Sequence, residues 1–286
     1  MISSPRLSCK TGFYYVFLYG SLICFLVIFM LPLLWVLGLS LKTREQIFTT
    51  PPLFLWRPTL ENYFTVLSEK NFLISFWNSF LVTTSTVLVS LFAGIPAAYT
   101  IARYRFPGRK LIFFSLLVMR MLPPIAALLP LYVMFSFGGL INTRISLVLA
   151  YTTFSLPIIV WVTRDFFKTV PRDLEEAAYM DGASRTGAFL RVALPLAKPG
   201  ITTAAILSML LAWNDFIFAA ILTNNATRTA PVLLSTYAGS ETGTDWGAIA
   251  ASGILVLLPV IVFSLIAQRH LVSGLSSGSI NDARVA

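Results

Sequence analysis

The chain has 286 residues, of which 57% are hydrophobic and only 12% are charged. Soluble domains carry about 25% charged residues, so the composition is typical of a protein embedded in lipid. Two cysteines, Cys9 and Cys24, and a single histidine, His270, are too few and too scattered to make a disulfide framework or a metal site. We therefore expect no metal ligands and no catalytic residues.

Six apolar stretches are long enough to cross a bilayer core of about 30 Å, which takes about 20 helical residues. They run from Thr11 to Leu41, Asn71 to Ala102, Leu111 to about Ser136, Ile145 to Thr163, about Pro199 to Leu222, and Trp246 to Gln268. The sequence thus predicts an all-α integral membrane protein with six transmembrane helices. The first stretch is too long for a signal-peptide core and no small-residue cleavage pattern follows it, so we expect it to be retained.

The basic residues are distributed unevenly between the two sides of this arrangement. If the N-terminus lies inside, fourteen lysines and arginines fall in the inner segments and six in the outer segments. Basic residues concentrate in cytoplasmic loops, so both termini are predicted to be cytoplasmic. The same bias explains the net charge of +9, and no nucleic-acid partner is expected.

A charged segment interrupts the apolar pattern between the fourth and fifth stretches. Pro171 suits a helix start, and the acids that follow it favour the positive end of the helix dipole. Four residues at helical spacing form one narrow face of this helix with a small-residue centre, namely Leu174, Ala177, Ala178 and Asp181. Gly182 is expected to end the helix, and Ser184 to cap a second helix that runs to about Val192 and is ended by Pro195.

Helices this short are unstable alone in water, so the segment must be held by packing. Its alanine-centred face would allow another surface to approach closely, and we predict a compact protrusion that fits a groove on a partner. The alternative is an amphipathic helix lying on lipid headgroups. Such helices usually carry bulky apolar residues and a basic polar face, whereas this one carries alanines and acids.

The spacing of this segment resembles a family signature. Glu176-Ala177-Ala178, three residues, Gly182, nine residues and then Val192-Ala193-Leu194-Pro195 resembles the EAA loop of ABC importer permeases. Further stretches are similar to permeases of the carbohydrate subgroup, of the type represented by the second permease subunit of maltose importers: LENYFTVL, FWNSFLV, AAYTIARYRFPGRK, RMLPPIAALLPLY, AWNDFIFAA and DWGAIAASGILVLLPVIVFSLIAQRHLVSGL. The likeness covers about residues 13 to 275.

The resemblance implies a type I ABC importer permease fold in the plasma (inner) membrane of a prokaryote. It implies four domains: a tail (1–10), a first transmembrane helix with an outer loop (11–70), a five-helix permease core (71–270) with its EAA coupling loop (171–195), and a cytoplasmic tail (271–286). The implied partners are a second permease subunit, two ABC ATPase subunits, an extracytoplasmic solute-binding protein, a sugar and membrane lipid.

No phosphate-binding loop of the G-x-x-x-x-G-K-[ST] type is present in the chain, so no cofactor is expected here, and ATP and Mg would be bound by the partner ATPase. By resemblance, Glu176 makes the charged contact with the ATPase. The other coupling residues would be Ala177 and Ala178 for close approach, Asp181 on the same face, Gly182 for the turn, and Leu194 and Pro195 at the exit.

Polar residues within the apolar stretches are candidates for the solute pathway, because charge in lipid is costly. Arg120 could line a solute cavity or bind backbone carbonyls freed by Pro123-Pro124. Trp213, Asn214 and Asp215, in the outer half of the fifth stretch, could handle a sugar or anchor the span at the outer interface. The polar stretch from Thr223 to Asp245 could face the binding protein or simply connect two spans.

Two alternative functions are considered. Polyamine and anion permeases share the EAA loop, so another solute is possible. An ion-coupled secondary transporter is a weaker alternative, because such proteins tend to hold paired membrane carboxylates and inverted repeats, and Asp215 is the one carboxylate within the apolar stretches. A G-x-S-x-G pattern at 274–278 lacks the preceding strand that a nucleophile elbow needs, so no enzyme is expected.

Overall fold

The computed structural model describes residues 9–51, 53, 55–237 and 244–282. These residues form helices and connecting turns, and no strand occurs among them. We number the helices α1 (Cys9–Ser40), α2 (Arg44–Ile47), α3 (Glu61–Ser68), α4 (Lys70–Arg103), α5 (Arg109–Met121), α6 (Pro124–Phe137), α7 (Arg144–Thr169), α8 (Arg172–Met180), α9 (Arg185–Leu196), α10 (Lys198–Trp213), α11 (Ile217–Leu222), α12 (Ala230–Tyr237) and α13 (Trp246–Asp282).

Four of these helices are long and apolar enough to cross a membrane by themselves: α1, α4, α7 and α13. Two further spans are possible if each of two bent pairs counts as one, α5 with α6 and α9 with α10. The helices α1, α4, α7 and α13 and the pair α5 with α6 coincide in position with five of the six predicted stretches. The pair α9 with α10 covers residues 185–213, so only α10 lies within the fifth predicted stretch, which runs from about Pro199 to Leu222. The predicted all-α membrane class is confirmed.

The third and fifth stretches differ from the continuous helices that were predicted. Between α5 and α6 the chain turns by 101° at Leu122 and Pro123, because Pro124 opens the second helix and has no N–H to continue the first. The fifth stretch is interrupted after Trp213 and resumes at Ile217. At the C-terminus, helix continues to Asp282, so most of the expected polar tail has helical backbone.

The chain divides into two compact units. One comprises residues 1–68 and 237–255, and the other residues 69–236 and 256–286. In the first, the amide of Asn62 donates to the backbone carbonyls of Ser40 and Lys42, at 3.0 and 2.8 Å, and so fixes α3 against the end of α1. Lys42 is buried beneath Trp56, with its ammonium group 4.4 Å from the ring centre.

The second unit is built on close contact between α4, α7 and α10. Small residues set the distances: a β-carbon at Gly94 of α4 would lie 2.7 Å from a methyl group of Ile159 on α7. A β-carbon at Gly200, at the start of α10, would overlap the ring of Phe166. Such contacts leave α7 firmly wedged between its neighbours, since close-packed interiors do not deform continuously.

Candidate coupling loop and polar cleft

The EAA segment begins with α8, whose ends are both defined by local chemistry. Pro171 precedes the first turn, and Asp173 and Glu175 lie in that turn, where negative charge is favoured. At the other end Gly182 has φ +84°, a left-handed conformation that costs glycine little. Ala183 N–H donates to Ala178 C=O and Gly182 N–H to Tyr179 C=O, at 2.9 and 3.0 Å, which is a Schellman cap. The predicted role of Gly182 as a helix terminator is thus realised in the fold.

The second helix, α9, is longer than expected. The Ser184 hydroxyl caps it by accepting from Gly187 N–H at 3.1 Å, as predicted. A π-helical turn from Phe189 to Ala193 follows, and the helix then continues to Leu196. The expectation that Pro195 ends this helix is therefore wrong. A new α-helical turn begins at Leu194 directly after the π-turn, and Pro195 is its second residue, near the start of a turn where proline is tolerated.

The predicted coupling residues form an open surface. Glu176, Ala177, Asp181, Gly182 and Pro195 are exposed, and Ala178 and Leu194 are half-buried. Apolar side chains around them are also exposed, above all Met180 at 88%, with Leu174 and Leu190. Desolvation raises the pKa of nearby Tyr179 above its ordinary value, so its phenol adds no negative charge at neutral pH. Small, acidic and apolar groups thus share one accessible surface, which suits a protein partner better than solvent.

The opposite side of α8 carries a buried ion pair that sequence reasoning missed. Glu175, only 5% exposed, lies 2.6 Å from a terminal nitrogen of Arg103 at the end of α4. Its other carboxylate oxygen accepts a hydrogen bond of 2.7 Å from the Tyr99 hydroxyl. The sequence shows Glu175 and Glu176 side by side, and the periodicity of α8 alone does not reveal which of the two points into the protein.

A second polar site is a cleft of about 120 Å³ in the same unit. It is lined by two residues of opposite charge, Arg120 and Asp215, together with Tyr151, Phe154, Ser155 and the apolar side chains of Pro124, Leu211, Ala212 and Phe218. Arg120 has no hydrogen-bond or ion-pair partner among the residues that the structure describes. The alternative in which it binds carbonyls freed at Pro123-Pro124 is thus not observed.

Asp215 occupies the gap between α10 and α11. Its carboxylate accepts hydrogen bonds from the Tyr151 hydroxyl at 2.8 Å and from the backbone N–H groups of Phe218 and Ala219 at 3.1 and 3.3 Å. These amides are the unpaired donors of the first turn of α11, so the carboxylate caps that helix. A charge inside an apolar stretch is therefore explained, at least in part, by the helix break itself.

The two residues before Asp215 lie elsewhere. Trp213 is 1% exposed, its indole N–H donates to Val256 C=O at 3.1 Å, and Phe76 and Phe263 pack on its ring. A sugar could not stack on it in this conformation, and it does not sit at an exposed interface either. Asn214 is exposed and donates to Leu210 C=O at 2.8 Å, which closes the end of α10. The structure therefore separates the predicted trio.

At the far end of α4 from Arg103, Asn78 organises the segment before α12. This fully buried amide donates to Ala226 C=O and Arg228 C=O, both at 3.0 Å, and accepts from Arg144 Nε at 2.7 Å. Asn224 and Asn225 belong to the stretch that could face the binding protein or simply connect two spans, and they are exposed here, whereas Ser240 and Glu241 lie outside the described residues. Asn78, the asparagine of FWNSFLV, thus connects α4 to the segment before α12.

Comparison with known families decides the class of protein. Residues 90–277 match the family model described as the inner membrane component of binding-protein-dependent transport systems. The chain belongs to this family. It is therefore a multi-pass inner-membrane component of a transport system, and not an enzyme.

Curated relatives cover most of the chain. It is 39% identical to the trehalose transport system permease protein SugB of Mycobacterium tuberculosis over 88% of this chain and 92% of the relative. It is 35% identical to the sulfoquinovosyl glycerol transport system permease protein SmoH of Agrobacterium fabrum over 87% and 88%. It is 32% identical to the trehalose/maltose transport system permease protein MalG of Thermococcus litoralis over 89% and 92%.

Solved structures share the fold. A subunit of a bacterial ABC transporter that imports the acidic polysaccharide alginate superposes with a TM-score of 0.79 at 22% identity, over 93% of this chain and 99% of that one. A chain of the methionine transporter MetNI gives a TM-score of 0.56 at 17% identity, over 68% and 91%. The type I ABC importer permease fold implied by the EAA spacing is confirmed.

Proposed function

We propose that this chain is the membrane-spanning permease subunit of an ATP-driven sugar importer. One observation carries the choice of sugar: four relatives named for trehalose, trehalose/maltose, diacetylchitobiose and sulfoquinovosyl glycerol transport match about nine tenths of the chain at 32–39% identity. These relatives are named for different sugars and sugar derivatives. We therefore propose a sugar as the class of solute and do not choose one particular sugar.

In the proposed assembly, this subunit pairs with a second permease, two ATPase subunits and an extracytoplasmic binding protein that delivers the sugar. Both termini lie in the cytoplasm. ATP and Mg bind to the ATPase subunits, which hold the exposed surface around Glu176, Ala177 and Asp181. The exposure of this surface supports the docking role, because small and acidic side chains remain accessible to a groove on another protein.

The cleft at Arg120 and Asp215 is the proposed solute pathway in this subunit. A sugar needs hydrogen-bonding groups for its hydroxyls and a flat apolar surface for its ring, and small-molecule sites combine these two elements. The cleft offers the unpaired guanidinium of Arg120, the hydroxyl of Ser155 and the aromatic ring of Phe154. Trp213 is left out of this proposal because its ring is buried and its N–H is already bonded.

The bonds of Asp215 argue against an ion-coupled secondary transporter. A carboxylate that relays protons or cations must exchange its partners during the cycle. Asp215 instead holds one hydroxyl and two backbone amides, which fix it to α7 and α11.

The test is reconstitution of the complete complex in proteoliposomes, with labelled trehalose and maltose as probes. Uptake should require ATP and the binding protein, and an imposed proton gradient without ATP should give none. Gradient-driven uptake without ATP would overturn the proposal. Uptake of labelled spermidine or sulfate in place of both sugars would retain the importer class and reject the sugar.

The docking surface is tested by substitutions that leave the spans intact. Glu176→Lys and Gly182→Pro should yield an inserted protein that no longer retains the ATPase in detergent. Glu61→Lys is the matched control, since Glu61 is also exposed but lies on α3. Equal recovery of the ATPase with all three variants would show that the EAA loop does not dock it.

A further inference from the structure

The buried contact beneath α8 joins three separate parts of the second unit. Glu175 comes from the EAA loop, while Tyr99 and Arg103 lie one helical turn apart at the end of α4. The same terminal nitrogen of Arg103 also donates to Val170 C=O at 2.8 Å, where α7 ends. Movement of any one of these parts must therefore either break the contact or carry the other two along.

The surroundings of the contact keep it away from solvent. The side chains of Arg103 and Glu175 are each 7% exposed, and the rings of Phe167 and Phe189 lie 5.4 and 4.6 Å from that of Tyr99. A charge pair in such a medium is screened little by solvent. The hydrogen bonds from the Tyr99 hydroxyl to Glu175 and from Arg103 to Val170 C=O hold the two charged groups in place beside each other.

Two ion pairs within α7 cannot play this part. Arg164–Asp165 and Lys168–Asp165 both lie within α7, and Asp165 is 53% exposed. Pairs of that kind contribute little and connect no separate elements. The contact between Glu175 and Arg103 is thus distinguished by position as well as by burial.

The contact is continuous with the solute cleft through close packing. α4 packs along α7 so tightly that Gly94 has no room for a β-carbon beside Ile159. α7 in turn carries Tyr151, Phe154 and Ser155, three of the residues that line the cleft. A displacement at the end of α4 therefore reaches the cleft without passing through a flexible segment.

We propose that Glu175, held by Arg103 and Tyr99, is the positioning residue through which movement of the EAA loop is transmitted to α4 and thence to the cleft. This inference rests on the proposed function, because it assigns a path to motion that an ATPase supplies. It separates two roles within adjacent acids: Glu176 contacts the ATPase, and Glu175 connects the loop to the spans.

The experiment measures ATP hydrolysis and cleft opening separately, so that the sugar need not be known. In a cysteine-free background, Leu211→Cys serves as the reporter, because Leu211 lines the cleft and is exposed. Its rate of labelling by a maleimide is compared without nucleotide and with ATP plus vanadate, in the reconstituted complex. The unsubstituted complex should show a nucleotide-dependent rate.

Glu175→Gln and Arg103→Gln should leave the ATPase bound and active but abolish the nucleotide dependence of labelling. The paired variant Arg103→Met with Glu175→Met removes both charges at similar volume, which preserves folding more often than loss of one partner does. It should show the same loss. Asp165→Asn, which breaks only the exposed pairs, is the matched control and should retain the nucleotide-dependent rate.

Two results would overturn the inference. One is a nucleotide-dependent rate in any Glu175 or Arg103 variant that binds the ATPase. The other is loss of ATPase binding in every variant, including Tyr99→Phe, which would reduce the cluster to a folding role. If the unsubstituted complex neither hydrolyses ATP nor changes its labelling rate, the proposed function itself fails, and that result is distinct from both.

Discussion

Replacement of Gly182 by alanine gives a direct measure of how much the shape of the EAA turn contributes to docking. The backbone at Gly182 has φ +84°, and a β-carbon there would meet nothing within 4 Å. The cost is therefore backbone strain alone, about 1–2 kcal/mol for a residue with a β-carbon in the left-handed region. The turn is exposed, so the free loop can relax, and docking must then restore the strained form.

A strain of about 1 kcal/mol corresponds to roughly fivefold weaker binding, since 1.4 kcal/mol is tenfold. We expect Gly182→Ala to raise the Kd for the ATPase about fivefold in detergent titrations. Gly182→Asn should raise it less, because asparagine tolerates this conformation better.

Gly108 provides the matched control. It is exposed, has φ +81°, and likewise has nothing within 4 Å of a built β-carbon, but it precedes α5. Gly108→Ala should introduce a backbone strain similar to that of Gly182→Ala and leave the Kd for the ATPase unchanged. Equal Kd values for all variants, or equal weakening by Gly108→Ala, would refute the reasoning.

Three further outcomes are expected. Gly200→Ala should lower thermal stability in detergent by about 1–3 kcal/mol because its methyl group must displace Phe166, whereas Gly20→Ala in α1 should cost nothing, and equal effects would contradict the packing described. Asn78→Leu leaves two carbonyls and an arginine nitrogen without partners, so it should destabilise by about 3–5 kcal/mol, against about 1 kcal/mol for Ser79→Ala, which loses one bond to Ala230. A fluorescent reporter that folds only in the cytoplasm should be active when fused to either terminus, and an inactive fusion at one end would reverse the predicted orientation.

Much of the fold could be predicted because lipid imposes simple rules on sequence. Apolar stretches of the right length had to be helical spans, and the spacing of Glu176 and Gly182 was specific enough to indicate a family. Helix boundaries set by local chemistry, such as the Ser184 cap and the Gly182 terminator, were also predictable.

What remained hidden depended on contacts between distant parts of the chain. Asn78 bonds carbonyls about 150 positions away, and no local pattern announces such a partner. The sequence suggested that Trp213 could contact a solute because the residues beside it are polar. In the structure, however, α10 directs its ring into the protein interior. The π-helical turn before Leu194 could not be predicted either, because no residue preference marks such turns strongly. The end of α9 was therefore placed too early in the sequence.

The length of α4 has a consequence for the position of the contact between this helix and Glu175. Its 34 residues span about 51 Å at 1.5 Å per residue, against about 30 Å of hydrocarbon. Even with tilt, a helix of this length extends beyond the acyl chains. Tyr99 and Arg103 lie in its last two turns, where the contact with Glu175 is enclosed by protein side chains and not by acyl chains, so α4 can be displaced at this end through protein contacts alone.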